Sequence, residues 1–123
     1  MTLNLLLNRK SIRAFEKRPI EANVRAKILE ATLRAPTAGN MMLYSILDIT
    51  DQSITNKLVK TCDDQPFIAR APMVWVFIAD YQRWYDYFLL SGADTLSDEP
   101  MRKPEEGDLF LACSDTLIAA QNA

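Results

Sequence analysis

The sequence Arg9-Lys10-Ser11-Ile12-Arg13-Ala14-Phe15 lies near the amino terminus of a 123-residue chain. Residues 9–18 contain five basic side chains and one acidic side chain, Glu16, in a protein whose formal net charge is −2. Arginine, lysine and serine together offer a forked donor, a point charge and a hydroxyl, which suit a single phosphate group. A solvated basic surface has the same composition, and a short basic run that stands alone favours that interpretation.

The composition limits the chemistry that is open to the chain. Its length fits one domain, and 49% hydrophobic with 24% charged residues is ordinary for a soluble globular protein. There is no histidine, which excludes Ser-His-Asp and Cys-His catalysis. Cys62 and Cys113 lack the spacing of metal ligands, so we expect no metal site.

The small net charge gives no general attraction to nucleic acid or to a membrane surface. The apolar run at residues 3–7 is too short for a signal peptide or a membrane span. We therefore expect a cytoplasmic protein that binds neither nucleic acid nor membranes.

Hydrophobic periodicity predicts five helices and two strands. Helices are predicted over residues 3–7, 21–34, 81–90 and 108–123, and strands over residues 42–50 and 73–79. A further helix is predicted to extend through Cys62, with either Asp51 or Ser53 as its cap. The inward faces are predicted to carry Ala22, Ala26, Leu29 and Leu33 in the second helix, and Leu109, Cys113, Leu117 and Ala120 in the last. This pattern assigns Cys113 a packing role. Asp80 is predicted to cap the aromatic helix that begins at Tyr81.

Two strands are too few for an ordinary sheet. The strand at residues 73–79 is apolar on both faces, which is typical of the centre of a sheet. A two-stranded sheet would leave its hydrophobic edges unpaired. A second chain, or sequence that is absent from this one, must complete it.

The order of landmarks along the chain carries more information than any single motif. The basic motif is followed by a proline, a helix, the segment Ala35-Pro36-Thr37-Ala38-Gly39-Asn40 and a strand. Gln65-Pro66-Phe67-Ile68-Ala69 precedes the second strand, which ends in Ala79-Asp80, and the last helix carries Asp115 and Ala119-Ala120-Gln121-Asn122. This order resembles the nitroreductase family of FMN-dependent NAD(P)H oxidoreductases over nearly the whole chain.

The resemblance implies a flavin site. Arg9 and Ser11 match residues that hold the FMN phosphate in the family. Lys10 lies between them and is expected to share that task through its backbone or its ammonium group. Arg13 matches a basic residue near the ribityl chain and the pyrimidine edge. A positive charge there would stabilise the negative charge of reduced flavin.

The second group of matching positions is Pro36, Thr37, Ala38 and Asn40. In the family, this loop reaches FMN from the partner subunit, so the resemblance implies a homodimer with FMN at the subunit interface. Asn40 is expected to bind the isoalloxazine edge. The alternative is a turn residue selected for its tolerance of left-handed backbone. Residues 41–43 are Met-Met-Leu, where many members have a Gln-Pro-Trp type of segment.

The implied fold is a single α+β domain over residues 1–123, with an antiparallel sheet that is flanked by helices and incomplete within this chain. Family members are usually longer, so the C-terminal part of the fold is expected to be absent. The implied reaction passes a hydride from NAD(P)H through FMN to a nitroaromatic, quinone or flavin acceptor. The sequence does not identify a catalytic side chain, and it does not indicate whether the donor is NADH or NADPH. The alternatives are a truncated, non-catalytic module for dimerisation or flavin binding, and a fragment of a complete enzyme.

Overall fold

A computed structural model describes residues 2–123, which fold into seven helices and strands. In chain order these are α1 (Thr2–Asn8), α2 (Ala22–Leu33), β1 (Tyr44–Asp48), α3 (Gln52–Thr61), β2 (Trp75–Ala79), α4 (Arg83–Leu90) and α5 (Glu106–Asn122). Short 3-10 turns cover Ala38–Asn40, Ile68–Arg70 and Ala93–Thr95. The chain divides into two compact units, residues 1–20 with 49–74 and residues 21–48 with 75–123.

The first unit is built on α3 and the turn at residues 68–70, which lie in contact. Asp51 begins α3, because its carboxylate accepts a 2.7 Å hydrogen bond from the Ser53 amide. That bond to Ser53 is the main reason why the pKa of Asp51 is lower than usual. Gln52 Nε2 donates to the Ala69 carbonyl at 3.2 Å, which ties the helix to the turn.

The second unit holds the sheet and the small hydrophobic core. β1 and β2 pair antiparallel, with Ile46 opposite Phe77. α5 packs against both strands and against α2. The buried core residues Ala35, Tyr44 and Ala119 come from the end of α2, from β1 and from α5, respectively. The predicted α+β class with an antiparallel sheet flanked by helices is confirmed, and residues 2–123 contribute two strands to that sheet.

The inward faces predicted for α2 and α5 are wrong. The buried residues of α5 are Ala112, Asp115, Thr116 and Ala119, and the residue of α2 that is fully buried is Thr32. The buried positions of both helices carry small or polar side chains, whereas bulky apolar side chains such as Leu33, Phe110 and Leu117 are exposed. Cys113 follows the outward face and is exposed, so its predicted packing role is also wrong for this chain.

The predicted capping role of Asp80 is wrong as well. α4 begins at Arg83, two residues later than predicted, with Gln82 as its N-cap residue. Asp80 instead accepts a 2.6 Å hydrogen bond from the Ser45 hydroxyl. Its carboxylate therefore fastens the end of β2 to β1, and it does not cap α4.

Within residues 2–123, every helix is too short or too polar to cross a bilayer.

Candidate functional site

The basic segment lies between α1 and α2 and has no regular secondary structure. Arg9, Lys10, Ser11 and Arg13 are all exposed. Glu16, the acid of the segment, pairs with Arg18 at 2.6 Å. The three cations at positions 9, 10 and 13 form no salt bridge with any carboxylate in residues 2–123. Their charges are therefore free to attract an anion.

A cleft of about 470 Å³ opens beside this segment, within the first unit. Arg13, Phe15, Lys17 and Arg70 line it. The Arg13 guanidinium lies 5.7 Å from the centre of the Phe67 ring, and Phe67 packs against Phe15 with ring centres 6.3 Å apart. Three cations over an aromatic floor suit an anion that carries a flat apolar group.

The loop at residues 36–43 has an unusual backbone. Gly39, Asn40 and Met42 have φ angles of 57°, 55° and 52°, in the left-handed region. Non-glycine residues adopt this region at a cost, so tertiary contacts must hold the loop. Asn40 is exposed, and its side-chain amide forms no hydrogen bond within residues 2–123. That amide is therefore available to a ligand.

The contacts that hold this loop come from α5 and α4. Asp115 is 3% exposed, and its carboxylate accepts hydrogen bonds from the amides of Ala38 and Leu43 at 3.1 and 3.3 Å. Trp84 Nε1 donates to the Met41 carbonyl at 2.8 Å. Arg83 donates to the carbonyls of Met42 and Tyr44 at 3.2 and 3.1 Å.

Tyr44 follows the loop and has the one buried side-chain polar atom in residues 2–123 that lacks a hydrogen-bond partner, its hydroxyl. Burial, and then the negative charge of Asp115, raise the pKa of this phenol, while the charge of Arg83 opposes the shift. The Tyr44 phenol therefore loses its proton less readily than an ordinary tyrosine.

α4 presents aromatic side chains to the same loop. Trp84, Tyr87 and Phe88 pack against one another, with ring centres 5.6 to 5.8 Å apart. Trp84 and Phe88 also line a cleft of about 230 Å³ together with Met41 and Leu43. The aromatic stretch therefore packs mostly against itself and leaves an apolar cleft next to the loop.

The expected flavin residues fall into two groups. The structure brings Arg9, Lys10, Ser11 and Arg13 together in the first unit, and Pro36, Thr37, Ala38 and Asn40 together in the second. The pattern of the sequence did not assign a role to Arg83 or Asp115, although Asp115 was one of the landmarks. Their contacts span 39 to 77 positions along the chain, and no local pattern reveals such contacts.

Comparison with known proteins gives a consistent result. The model of the nitroreductase family matches residues 6–123. An NADPH-dependent oxidoreductase of Staphylococcus saprophyticus is 32% identical over 120 residues, which cover 97% of this chain and 45% of the relative. The chain thus spans about half the length of the curated relatives that it matches.

Solved structures agree in fold. The NADPH:FMN oxidoreductase from Vibrio harveyi, determined in complex with NAD+, aligns with a TM-score of 0.80 at 28% identity, over 98% of this chain and 48% of its own. The NfrA1 nitroreductase from B. subtilis aligns with a TM-score of 0.84 over 99% and 48% of the two chains, and its 23% identity shows the fold alone. The family match extends from the basic segment to the end of α5, and this chain belongs to the nitroreductase family.

Proposed function

We propose that the protein binds FMN and uses it to pass electrons from NAD(P)H to a small acceptor such as a nitroaromatic, a quinone or a flavin. The observation that carries the proposal is the exposed segment with three unpaired cations and a serine at residues 9–13, in a chain of the nitroreductase family. An unpaired cluster of this kind suits a phosphate dianion.

The side chains at residues 9–13 fit the phosphate and the ring of FMN. Arg9 and Ser11 would hold the phosphate with a guanidinium fork and a hydroxyl, and Lys10 would add a positive charge. Arg13 would lie near the pyrimidine edge, where its charge favours the anionic, reduced form of the ring. When bound, FMN supplies the hydride chemistry, and the protein supplies binding, orientation and electrostatics.

The loop at residues 36–40 would give the second wall of the site. The free amide of Asn40 suits the polar edge of a planar ring, because an amide can both donate and accept. Pro36, Thr37 and Ala38 would contribute backbone and apolar contacts. In the proposed homodimer, each subunit lends this loop to the site of its partner.

NADPH is the donor that we favour, because the relatives at 32% identity are named NADPH-dependent oxidoreductases. A second candidate function is a non-catalytic module for flavin binding or dimerisation. The observations that favour it are the span of about half of the relatives' length and the two-stranded sheet.

The test is a titration of the purified chain with FMN, in which the quenching of flavin fluorescence measures binding. We expect saturable binding, and an Arg9→Ala/Ser11→Ala variant should bind on the order of a hundredfold more weakly, because two bonds to a charged phosphate are lost. Lys57→Ala in α3 removes one positive charge elsewhere on the surface and should leave the affinity unchanged. A wild-type chain that takes up no FMN, or a double variant with wild-type affinity, would contradict the proposal.

A further inference from the structure

We propose that Asp115 is a positioning residue, whose buried carboxylate holds the loop at residues 38–43 in the conformation that presents Asn40 to the flavin. The role as a flavin wall rests on the proposed function. The holding of the loop rests on contacts within the second unit alone.

The surroundings of Asp115 are unusual for a carboxylate. It is 3% exposed, in the middle of α5, and it forms no salt bridge within residues 2–123. A buried carboxylate is costly unless hydrogen bonds compensate the loss of water. The compensation here comes from the amides of Ala38 and Leu43, each of which donates to a different oxygen.

These two amides bracket the strained part of the backbone. Between them lie Gly39, Asn40 and Met42, whose φ angles are 57°, 55° and 52°. A free chain would relax two non-glycine residues out of this region. By binding the amides on both sides, the carboxylate fixes the ends of the segment, so that the residues between them keep their left-handed conformation.

α4 fixes the same segment through its carbonyls. Trp84 binds the carbonyl of Met41, and Arg83 binds those of Met42 and Tyr44. The carboxylate on α5 thus binds backbone amides of this segment, whereas the donors on α4 bind its backbone carbonyls. Two helices therefore fix the position of Asn40, which itself has no side-chain hydrogen bond within residues 2–123.

The experiment compares Asp115→Asn with the wild type in two measurements, amide hydrogen exchange and FMN affinity. Asparagine keeps the shape of the side chain, but one acceptor oxygen becomes an NH2 group that faces an amide donor. Thr116→Val is the matched control, because Thr116 is the next buried residue of α5 and its hydroxyl bonds within the helix to Ala112.

In Asp115→Asn, we expect the amides of Ala38 and Leu43 to exchange at least about tenfold faster, as the loss of a bond to a charged acceptor predicts. The amides that pair β1 with β2 should keep their protection, and FMN should bind about tenfold more weakly. Thr116→Val should change neither the exchange of the loop amides nor the affinity. The proposal is overturned if Asp115→Asn leaves the loop amides unchanged, or if they accelerate while the affinity for FMN stays that of the wild type.

If Asp115→Asn does not fold, Trp84→Phe decides the matter, because it removes the donor to the Met41 carbonyl and keeps an aromatic ring. A weaker affinity for FMN with intact β1–β2 protection supports the holding of the loop, and an unchanged affinity overturns it. A wild-type chain that binds no FMN contradicts the proposed function. The exchange of the Ala38 and Leu43 amides then decides by itself whether Asp115 holds the loop.

Discussion

Among single residues, those of the loop at residues 38–43 have a backbone conformation that the chain would not adopt without tertiary contacts. Gly39 has no Cβ and meets its φ of 57° at little cost, whereas Asn40 and Met42 do not have that freedom. Asn40 is a residue type that tolerates left-handed backbone, and Met42 is not. The strain at Met42 therefore depends on the contacts from Asp115 and Arg83.

Gly39→Ala tests this backbone requirement. A Cβ at Gly39 would lie 3.6 Å from the Met41 side chain, which is ordinary contact, so the cost comes from φ alone. We expect a loss of about 1 to 2 kcal/mol in the free energy of unfolding by urea. Gly107→Ala is the control, because Gly107 lies in α5 with open space around it, and alanine there should stabilise the helix by up to about 1 kcal/mol. Equal stability of Gly39→Ala and wild type would contradict the assignment of strain.

The residues of the site were only partly predictable from the sequence. Arg9, Lys10, Ser11 and Arg13 lie within five consecutive positions, so a local motif is enough to propose them. The turn near Asn40 is also local. Asp115 acts on amides 72 and 77 positions away, and that pairing depends on the packing of α5 against β1.

Among the helices and strands of the second unit, α5 is fixed at its N-terminus by side-chain hydrogen bonds. Its first turn carries a capping box, in which Asp108 accepts from the Glu105 amide at 2.8 Å. Asp108 also receives two hydrogen bonds from Arg102, at 2.7 and 2.8 Å. The bonds from Arg102, above all, lower the pKa of Asp108 from 3.8 to about 2.

This pKa shift predicts a pH dependence of stability. A carboxylate with a lowered pKa stabilises the folded state above its unfolded value of 3.8, and this contribution is lost as the pH falls toward 2. Asp108→Asn should therefore be less stable than the wild type at neutral pH, and the difference should shrink between pH 4 and pH 2. Urea unfolding across this range measures it, with Asp98→Asn as a control. A difference that is independent of pH would refute the role of the Asp108 carboxylate.

The buried face of α5 gives a second prediction at this scale. Ala119 is fully buried beside Ala35 and Tyr44, so Ala119→Leu should overpack this contact and cost about 1 to 3 kcal/mol in the free energy of unfolding. Ala120→Leu, on the outward face, should change stability by less than about 0.5 kcal/mol. If Ala120→Leu cost more stability than Ala119→Leu, the buried face of α5 would instead be the one that periodicity predicts.

The bounds of the elements were predictable, and the faces of the helices were not. Apolar periodicity predicted α3 with a cap at either Asp51 or Ser53, and the structure has the cap at Asp51 and the helix over Gln52–Thr61. In α5, large and small apolar residues alternate around the helix, so periodicity did not distinguish the face that packs closely. Ala112 and Ala119 are fully buried in a helix that packs against α2 and both strands, so tertiary packing determines which face of α5 points inward.

At the scale of the whole molecule, the chain exposes much apolar surface. Phe110 and Leu117, on the outward face of α5, are 72% and 70% exposed. Within residues 2–123, each strand of the sheet has one partner, so each also has an open edge. Surfaces of this kind are typical of chains that assemble with further protein.

We expect the chain to form a homodimer through such surfaces, and sedimentation velocity measures it. Phe110→Asp/Leu117→Asp should shift the population to monomer, because burying two carboxylates in an apolar interface is costly. Leu96→Asp is the control, since Leu96 is 85% exposed and lies outside the helices. A wild-type chain that sediments as a monomer would argue against the dimer.

Membership of the nitroreductase family follows from the order of landmarks over the whole chain, and no single motif was sufficient for it. The central question is whether this chain, which spans about half the length of its relatives, passes electrons from NADPH through FMN. Anaerobic titration of the FMN-loaded chain with NADPH tests this most directly. We expect the blue absorption of oxidised flavin to bleach stoichiometrically with NADPH and to return when a quinone is added. Bound flavin that NADPH does not bleach would contradict the proposed oxidoreductase function and would favour the non-catalytic module.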